Sequence, residues 1–473
     1  MTLICAVIAA DTQGAAKVAA AQALMCGAEA FEVRIDALLA VPEDLSFLPI
    51  AKPVIVTFRS EMDGERREIF AAALDAGATY VDIESSSVLR DRFPRDRVIC
   101  SYHDFGRTPA MQEILSIFQD LSASGIPKAA FMVRGPADLW EIWKSALVLK
   151  QSGEPFILIG MGVAGEITRI RATDIGSMVT YCTMRPEDAS ALGQITVVEA
   201  VRLGLDPLAT AIIGWPLEHT RSPQIHNAAF LAAGIRGRYV RIPVPEHELP
   251  LVPAVFRCYR IAGANVTIPH KQAIIPHLSK LSPKAHAAGT VNTICVGTDG
   301  TLTGTNTDLV GIAAALAALG NDPAGKRALI VGAGGAARAA AACLISAGAK
   351  LFVTNRTTEK AAVLAAEFGA VAVPLDALRP EYDLVINATP AGMSGFSAEI
   401  PVPVSILSPD TAVFDMVYEP ETTPLLSASR SAGVRVAVGG KSMLIEQAAA
   451  SFALWARKDA DRTAMTKAFG GQP

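Results

Sequence analysis

Eight short apolar runs, each followed by an Ala- and Leu-rich stretch of helical character, fill roughly the first 200 residues. This alternation constrains the fold more than any other feature. A parallel return between strands needs a crossover long enough to hold a helix, so strand-sized runs alternating with helices read as a parallel sheet. The spacing predicts strands at Leu3–Ala10, Phe31–Asp36, Pro53–Ser60, Thr79–Ser85, Arg97–Asp104, Lys128–Val133, Pro155–Gly162 and Met178–Thr183. Eight such repeats in about 200 residues fit a compact (β/α)8 barrel, whose chemistry sits at the carboxyl ends of the strands. The expected class is α/β.

At 473 residues the chain exceeds one ordinary domain. A short link, LGLDPLATAIIGWP, precedes a new α/β pattern that begins with a strand at Ala211–Gly214. A nested unit opens at Arg327–Ala333 with a glycine-rich turn, and a last helix near Met443–Arg457 is expected to pack back on the earlier part. The division expected is 1–205, then 206–310 completed by 440–473, then 311–439.

The net charge of −4 gives no footing for nucleic acid or an anionic membrane, and neither partner is expected. No uncharged apolar stretch approaches the ~18–20 residues that span a bilayer. The Ala-rich run from Gly311 to Gly320 is cut by Asn321, Asp322 and Pro323. The opening MTLICAVIAADTQG lacks a basic start and its apolar run is short, so it reads as a first buried strand rather than a signal peptide. Seven cysteines without a Cys-x-x-Cys pair read as reduced thiols of a cytoplasmic protein, with no metal site.

Lys128 begins the run KAAFMV, and alternation puts Lys128, Ala130 and Met132 on one face. A lysine pointing into a barrel is costly unless it works or is paired. Burial among cations would favour the free amine that attacks a ketone. The alternative is a lysine at a strand entrance, exposed to water. His103 ends the fifth strand and reads either as a proton carrier or as a satisfied core histidine. Glu32 and Arg34 in FEVRID, Arg59 in TFRS and Glu84 in DIES bring charge to one barrel end, which an apolar core cannot absorb without a polar ligand.

In order and spacing, FEVRID, TFRS, SYHDF, PKAAFMV, EITR and SALGQIT resemble the type I 3-dehydroquinate dehydratases over about residues 1–205. The resemblance implies that Lys128 forms a Schiff base and that His103 is the general acid and base. It implies that Glu32, Arg34 and Arg59 hold substrate hydroxyls and shape the field. Arg169 would clamp the carboxylate, with Ser190 and Gln194 closing over the substrate. One departure stands out: four residues after Arg59 the family usually has Glu, and this chain has Asp63, followed by Gly64 and Glu65. A shorter carboxylate there is expected to loosen the pairing that positions His103.

In the second half, ALIVGAGGAARA reads as strand, glycine turn and helix start, with Gly332, Gly334, Gly335 and Ala337 small enough for a pyrophosphate to approach the helix N-terminus. A purely structural glycine turn is the alternative. The next strand ends with Asn355, Arg356 and Thr357 where an NAD-binding fold places Asp or Glu; an arginine there suits a 2′-phosphate, so NADP(H) is expected. The clusters WPLEHTRSP, GANVTIPHK, AGTVNT, GTNTD, NATPAGM, DMVYEP and GGKSMLIEQ resemble the shikimate dehydrogenases over roughly residues 208–460. That resemblance implies a two-lobed α/β unit with a Rossmann NADP domain, and Lys271 and Asp308 as the catalytic pair. Asn292 and Asn306 would bond ring hydroxyls beside Thr267 and Gln447. Thr220 and Ser222 would hold the carboxylate, and Tyr418 would complete the pocket. Asn387, Thr389, Met393 and Gly440 would line the cofactor side. His219, His226 and His270 receive no chemistry.

Together the two resemblances imply a TIM barrel fused to a dehydrogenase, acting on 3-dehydroquinate, 3-dehydroshikimate and shikimate in aromatic amino acid biosynthesis. The rivals are a dehydrogenase half that oxidises quinate with NAD, and a half that is a non-catalytic remnant. Arg356 argues against the first, and intact Lys128, His103, Lys271 and Asp308 against the second.

Overall fold

The computed structural model describes residues 2–189, 193–204, 206–218, 220–320 and 322–470. All eight expected strands of the first half form: β1 (Leu3–Ile8), β2 (Ala30–Arg34), β3 (Val54–Thr57), β4 (Tyr80–Glu84), β5 (Val98–Asp104), β6 (Ile126–Met132), β7 (Ile157–Met161) and β8 (Val179–Cys182). They run in the order β7-β6-β5-β4-β3-β2-β1-β8. Between β7 and β8 the barrel is drawn together by Met178 N donating to Phe156 O at 2.8 Å.

Strands wrapped by helices are covered on both faces, which is why VIVT of β3 and VTYC of β8 are buried throughout. Cys5, Ala30, Ile55, Ile99, Ala130, Ile157 and Tyr181 belong to one interior cluster, with Met132 packed against it. Lys128 shares the face of Ala130 and Met132, so alternation points it inward, and it is 5% exposed. Thr12 caps the helix Gln13–Met25, and Thr196 with Glu199 forms a reciprocal cap on Val197–Leu203.

The chain divides into two compact units, Met1–Ala211 with Arg236–Ile261, and Ile212–Ile235 with Ala262–Pro473. By compactness the segment Arg236–Ile261 is grouped with the first unit, although its strand lies outside the eight-stranded sheet. Arg238 gives one reason: it reaches Glu166 and Glu199 at 2.6 Å each.

The remaining strands are β9 (Leu208–Gly214), β10 (Gly237–Pro243), β11 (Ile261–Val266), β12 (Lys280–Leu281), β13 (Thr293–Val296), β14 (Leu302–Thr305), β15 (Arg327–Val331), β16 (Lys350–Thr354), β17 (Val371–Ala372), β18 (Leu384–Asn387), β19 (Ala412–Asp415) and β20 (Val436–Val438). In the second unit β11, β13, β14 and β12 are neighbours in that order, with β13 antiparallel to both β11 and β14. A separate parallel sheet runs β17-β16-β15-β18-β19-β20. The chain leaves β15 first to one side and later to the other. This reversal opens a crevice at the carboxyl ends of β15 and β18, where dinucleotide folds bind ligand. The helix Lys441–Ala456 packs back on this unit, and Trp455 Nε1 donates to Ile294 O at 2.9 Å.

Candidate active sites

Alternation along β4 puts Asp82 and Glu84 on the barrel's inner face, and register brings Glu84 beside Ser101 and Ser101 beside Lys128. Lys128 Nζ stands 2.7 Å from Asp82 Oδ2 and 3.9 Å from Glu32 Oε1. Arg59 reaches Asp82 Oδ1 at 2.6 Å and Glu84 Oε1 at 2.9 Å. The same Glu84 oxygen lies 3.0 Å from His103 Nδ1. Ser101 donates to Asp82 Oδ1 at 2.7 Å, and Thr57 donates to Glu32 Oε1 at 2.8 Å.

Burial alone would raise the Asp82 carboxyl, but the charges of Lys128 and Arg59 outweigh it and hold it well below the usual carboxylate range. Burial also works against ionised Glu84, and the His103 bond and the Arg59 charge override it. Both carboxylates are therefore ionised at neutral pH. With Nδ1 turned to Glu84, His103 keeps Nε2 for a ligand. Phe105 stacks on its ring, centroids 5.9 Å apart.

Three expectations need correction. The nearest charged neighbours of Lys128 are carboxylates, not cations; Arg59 is met only through Asp82. Asp63 does not position His103. It pairs with Arg66 on its own helix, while Glu84 takes the histidine. Arg169 is buried, but not among the groups around Lys128: its guanidinium donates to Tyr181 O at 3.4 Å. Burial lowers its guanidinium to about 10, against the opposing pull of Glu166. Of the others, Arg34 forks onto Asp36 at 2.6 and 3.1 Å, and Gln194 is half-buried ahead of the helix Val197–Leu203. Ser190 lies outside the described residues. Sequence reasoning missed Asp82, although its two-residue spacing from Glu84 on a strand was a usable signal.

In the second unit a cavity of about 870 Å³ is lined by Thr220, Ser222, Thr267, Lys271, Asn292, Asp308, Gly332, Gly334, Gly335, Asn355, Thr389, Met393, Tyr418, Gly440 and Gln447, all expected site residues. Lys271 Nζ is 2.5 Å from Asp308 Oδ2. The other Asp308 oxygen accepts from Asn292 Nδ2 at 2.8 Å, and Asn292 also reaches Thr307 at 3.1 Å and Gln447 at 3.3 Å.

Asn306 is not in the lining. It is fully buried, accepting from Asp308 N at 3.0 Å and donating to Thr290 at 2.9 Å, so it fixes the start of the Asp308 helix instead of facing the cavity. Asn387 likewise stands behind the wall and accepts from Thr389 Oγ1 at 2.7 Å. Ala337 packs in the core beneath the turn. Arg356 and Thr357 are exposed just beyond β16; Lys360, in the lining four residues past Arg356, was not anticipated. His226 is structural, fully buried 5.4 Å from the Trp455 ring, and burial lowers it to about 3. His219 lies outside the described residues.

The glycine turn fits a dinucleotide. Gly332 has φ +116°, and a Cβ there would come 3.0 Å from the Thr389 side chain. Gly334 caps the helix Gly335–Ser346, whose first turn carries no acidic residue, and a Cβ on it would meet nothing within 4 Å. A helix N-terminus open and free of negative charge suits a phosphate. A Cβ at Gly335 would press on Lys271 at 2.9 Å, so the bare glycine lets the lysine pass beside that turn.

Among the described residues no helix is long and apolar enough to cross a membrane, and no cluster of His, Cys, Asp and Glu is arranged to hold a metal ion. Family models match three segments: type I 3-dehydroquinase over residues 4–203, the shikimate dehydrogenase substrate binding domain over 212–294, and shikimate / quinate 5-dehydrogenase over 314–398. The chloroplastic bifunctional 3-dehydroquinate dehydratase/shikimate dehydrogenase of Arabidopsis thaliana is 30% identical over 96% of this chain and 82% of its own length. The shikimate dehydrogenase (NADP(+)) of Moorella thermoacetica is 42% identical over 54% of this chain and 90% of its own. The crystal structure of shikimate 5-dehydrogenase from Thermus thermophilus with NADP(H) and shikimate superposes with a TM-score of 0.51 at 37% identity, covering 55% of this chain and 98% of that one. Barrel, dinucleotide crevice and end-to-end similarity agree: this chain belongs to the family of bifunctional 3-dehydroquinate dehydratase/shikimate dehydrogenases.

Proposed function

We infer that the chain catalyses two consecutive steps of the shikimate pathway: dehydration of 3-dehydroquinate to 3-dehydroshikimate in the barrel, then NADPH-dependent reduction to shikimate in the second unit. The observation that carries the first step is Lys128, buried beside ionised Asp82 and within one strand of His103.

Lys128 Nζ yields a proton to His103 and adds to the ring ketone; the proton passes to the carbinolamine hydroxyl, which leaves as water and gives a protonated imine. That cation withdraws electrons and acidifies the neighbouring C–H. His103, held through Nδ1 by Glu84, takes this proton on Nε2 and returns it to the departing β-hydroxyl, which leaves as water. Hydrolysis then frees the product and Lys128. A placed histidine is worth roughly 10²–10⁴-fold in such transfers. Asp82 stays ionised throughout and balances the positive nitrogen, while Arg59 ties Asp82 and Glu84 into one frame. Glu32 and Arg34 face the substrate hydroxyls from β2.

In the second unit Gly332, Gly334, Gly335, Asn355 and Arg356 hold NADP(H), with the arginine and Lys360 toward the 2′-phosphate. NADPH supplies the hydride. Lys271 Nζ, held by Asp308, donates the proton that the reduced carbonyl oxygen takes. Thr220 and Ser222 hold the carboxylate; Asn292, Thr267, Gln447 and Tyr418 orient the ring. The three-part division expected from the sequence belongs to this reading and is supported by the three separate sheets. Seven free thiols among the described residues support a cytoplasmic setting.

Borohydride treatment in the presence of 3-dehydroquinate, followed by peptide mass mapping, tests the first step. The expected result is a reduced adduct on Lys128; an adduct on another lysine, or none, defeats the mechanism.

A further inference from the structure

Tyr181 lies on β8, opposite Cys5 of β1, and its side chain enters the barrel's interior cluster. Lys128 Nζ sits 4.4 Å from the centre of its ring. Its hydroxyl is buried and meets no hydrogen-bond partner among the described residues. A buried hydroxyl left unpaired is destabilising, and phenylalanine would fill the same space without that cost. The chamber is charged: Glu32 and Asp82 bear on the phenol electrostatically, and burial first, then these carboxylates, keep it protonated and hence a donor.

The two contacts of Lys128 differ in kind. Asp82 accepts a hydrogen from the amine. The ring face needs none, because it attracts positive charge itself. When the ammonium with its three N–H groups becomes a protonated imine with one, the ring contact keeps its basis. The uncharged carbinolamine between them gains nothing from it.

We propose that Tyr181 is a further working residue of the dehydration site: its ring stabilises the positive charge on Lys128 Nζ, and its hydroxyl donates to an oxygen of the bound ketoacid. This rests on Lys128 forming the imine. The ring thus favours the electron-withdrawing intermediate over its neutral precursor, and the hydroxyl is paired only when substrate is in place.

The test compares full-length wild type, Tyr181→Phe and Tyr181→Leu with 3-dehydroquinate, by steady-state kinetics and by the borohydride-trapped fraction on Lys128. Melting temperature and shikimate oxidation on the same chain report folding. Tyr181→Leu is expected to lower kcat and the trapped fraction by about 10-fold. Tyr181→Phe is expected to hold kcat within about 2-fold while raising KM roughly 5- to 10-fold, since only the hydroxyl is lost. If Tyr181→Leu unfolds the barrel, Tyr181→Met, of similar bulk and without a π face, takes its place. Wild-type kcat and trapping in the variant without a ring, an unchanged KM in Tyr181→Phe, or a loss in Tyr181→Phe as deep as in Tyr181→Leu each overturn the assignment. Absence of any Lys128 adduct in the wild type overturns instead the reading on which it rests.

Discussion

Both units hold a lysine against an aspartate, but they surround the pair differently. Around Lys128 the neighbours are charged and chained: Asp82, Glu32, Arg59, Glu84 and His103 link four strands and the turn after β3. Around Lys271 a single carboxylate, Asp308, is backed by neutral groups, Asn292, Thr307 and Gln447. The Lys128 and Asp82 side chains are 6% and 0% exposed, against 15% and 6% for Lys271 and Asp308. Inside a closed barrel a charge is balanced mainly by other charges, so removing one strands the rest. At the wall of a wide cavity, dipoles and water share that task. Changes in the barrel should therefore cost stability as well as rate, and changes at Lys271 rate alone.

The deepest losses should separate the two sites. Lys128→Ala is expected to cut dehydration by at least about 10⁴-fold, and Lys271→Ala to cut shikimate oxidation by about 10²–10⁴-fold, each leaving the other activity within about 2-fold. Coupled losses would break the independence of the sites. Asp82→Asn should cost about 3–5 kcal/mol of barrel stability, because Lys128 and Arg59 lose their shared counter-charge; Asp308→Asn should cost less. A pH series sharpens this contrast. The Asp82 carboxyl is held below its unfolded value, so its contribution is fully present above about pH 4 and drains away as pH falls from there. Urea melts should show this acid limb in the wild type and its loss in Asp82→Asn; identical limbs would discard the assignment.

Glu84→Gln should lower dehydration by about 10²-fold through misorientation of His103. Arg356→Ala should raise the KM for NADPH about 10-fold and leave that for NADH nearly unchanged, an effect limited by the exposure of the arginine and by Lys360 nearby. Equal effects on both cofactors would remove Arg356 from the 2′-phosphate. Smallest of all, Asp63→Glu should change dehydration by less than about 2-fold, because Asp63 pairs with Arg66 and not with His103. A gain of 10-fold would restore the role the sequence had suggested for it.

Much of this was legible in one dimension. Strand positions follow from apolar runs of fixed length, and the inward turn of Lys128 follows from its alternation with Ala130 and Met132. The glycine turn at Gly332 and Gly334 follows from steric permission alone. Less legible were residues whose role depends on a partner from another element. Asn306 carries the right motif, yet its amide is spent on the Asp308 helix and Thr290. Arg169 carries the expected motif, yet its guanidinium lies beside Tyr181 O.

By itself the sequence determined the elements, the faces they present and the reactive side chains available, because these depend on neighbours a few positions away. Only the tertiary structure decided which charges meet. Lys128 and Asp82 are 46 residues apart and stand 2.7 Å from each other. Glu84, not Asp63, holds His103 because parallel pairing sets the end of β4 beside the end of β5. Electrostatic energy varies with the inverse of distance and with burial, and neither quantity exists until the strands have closed.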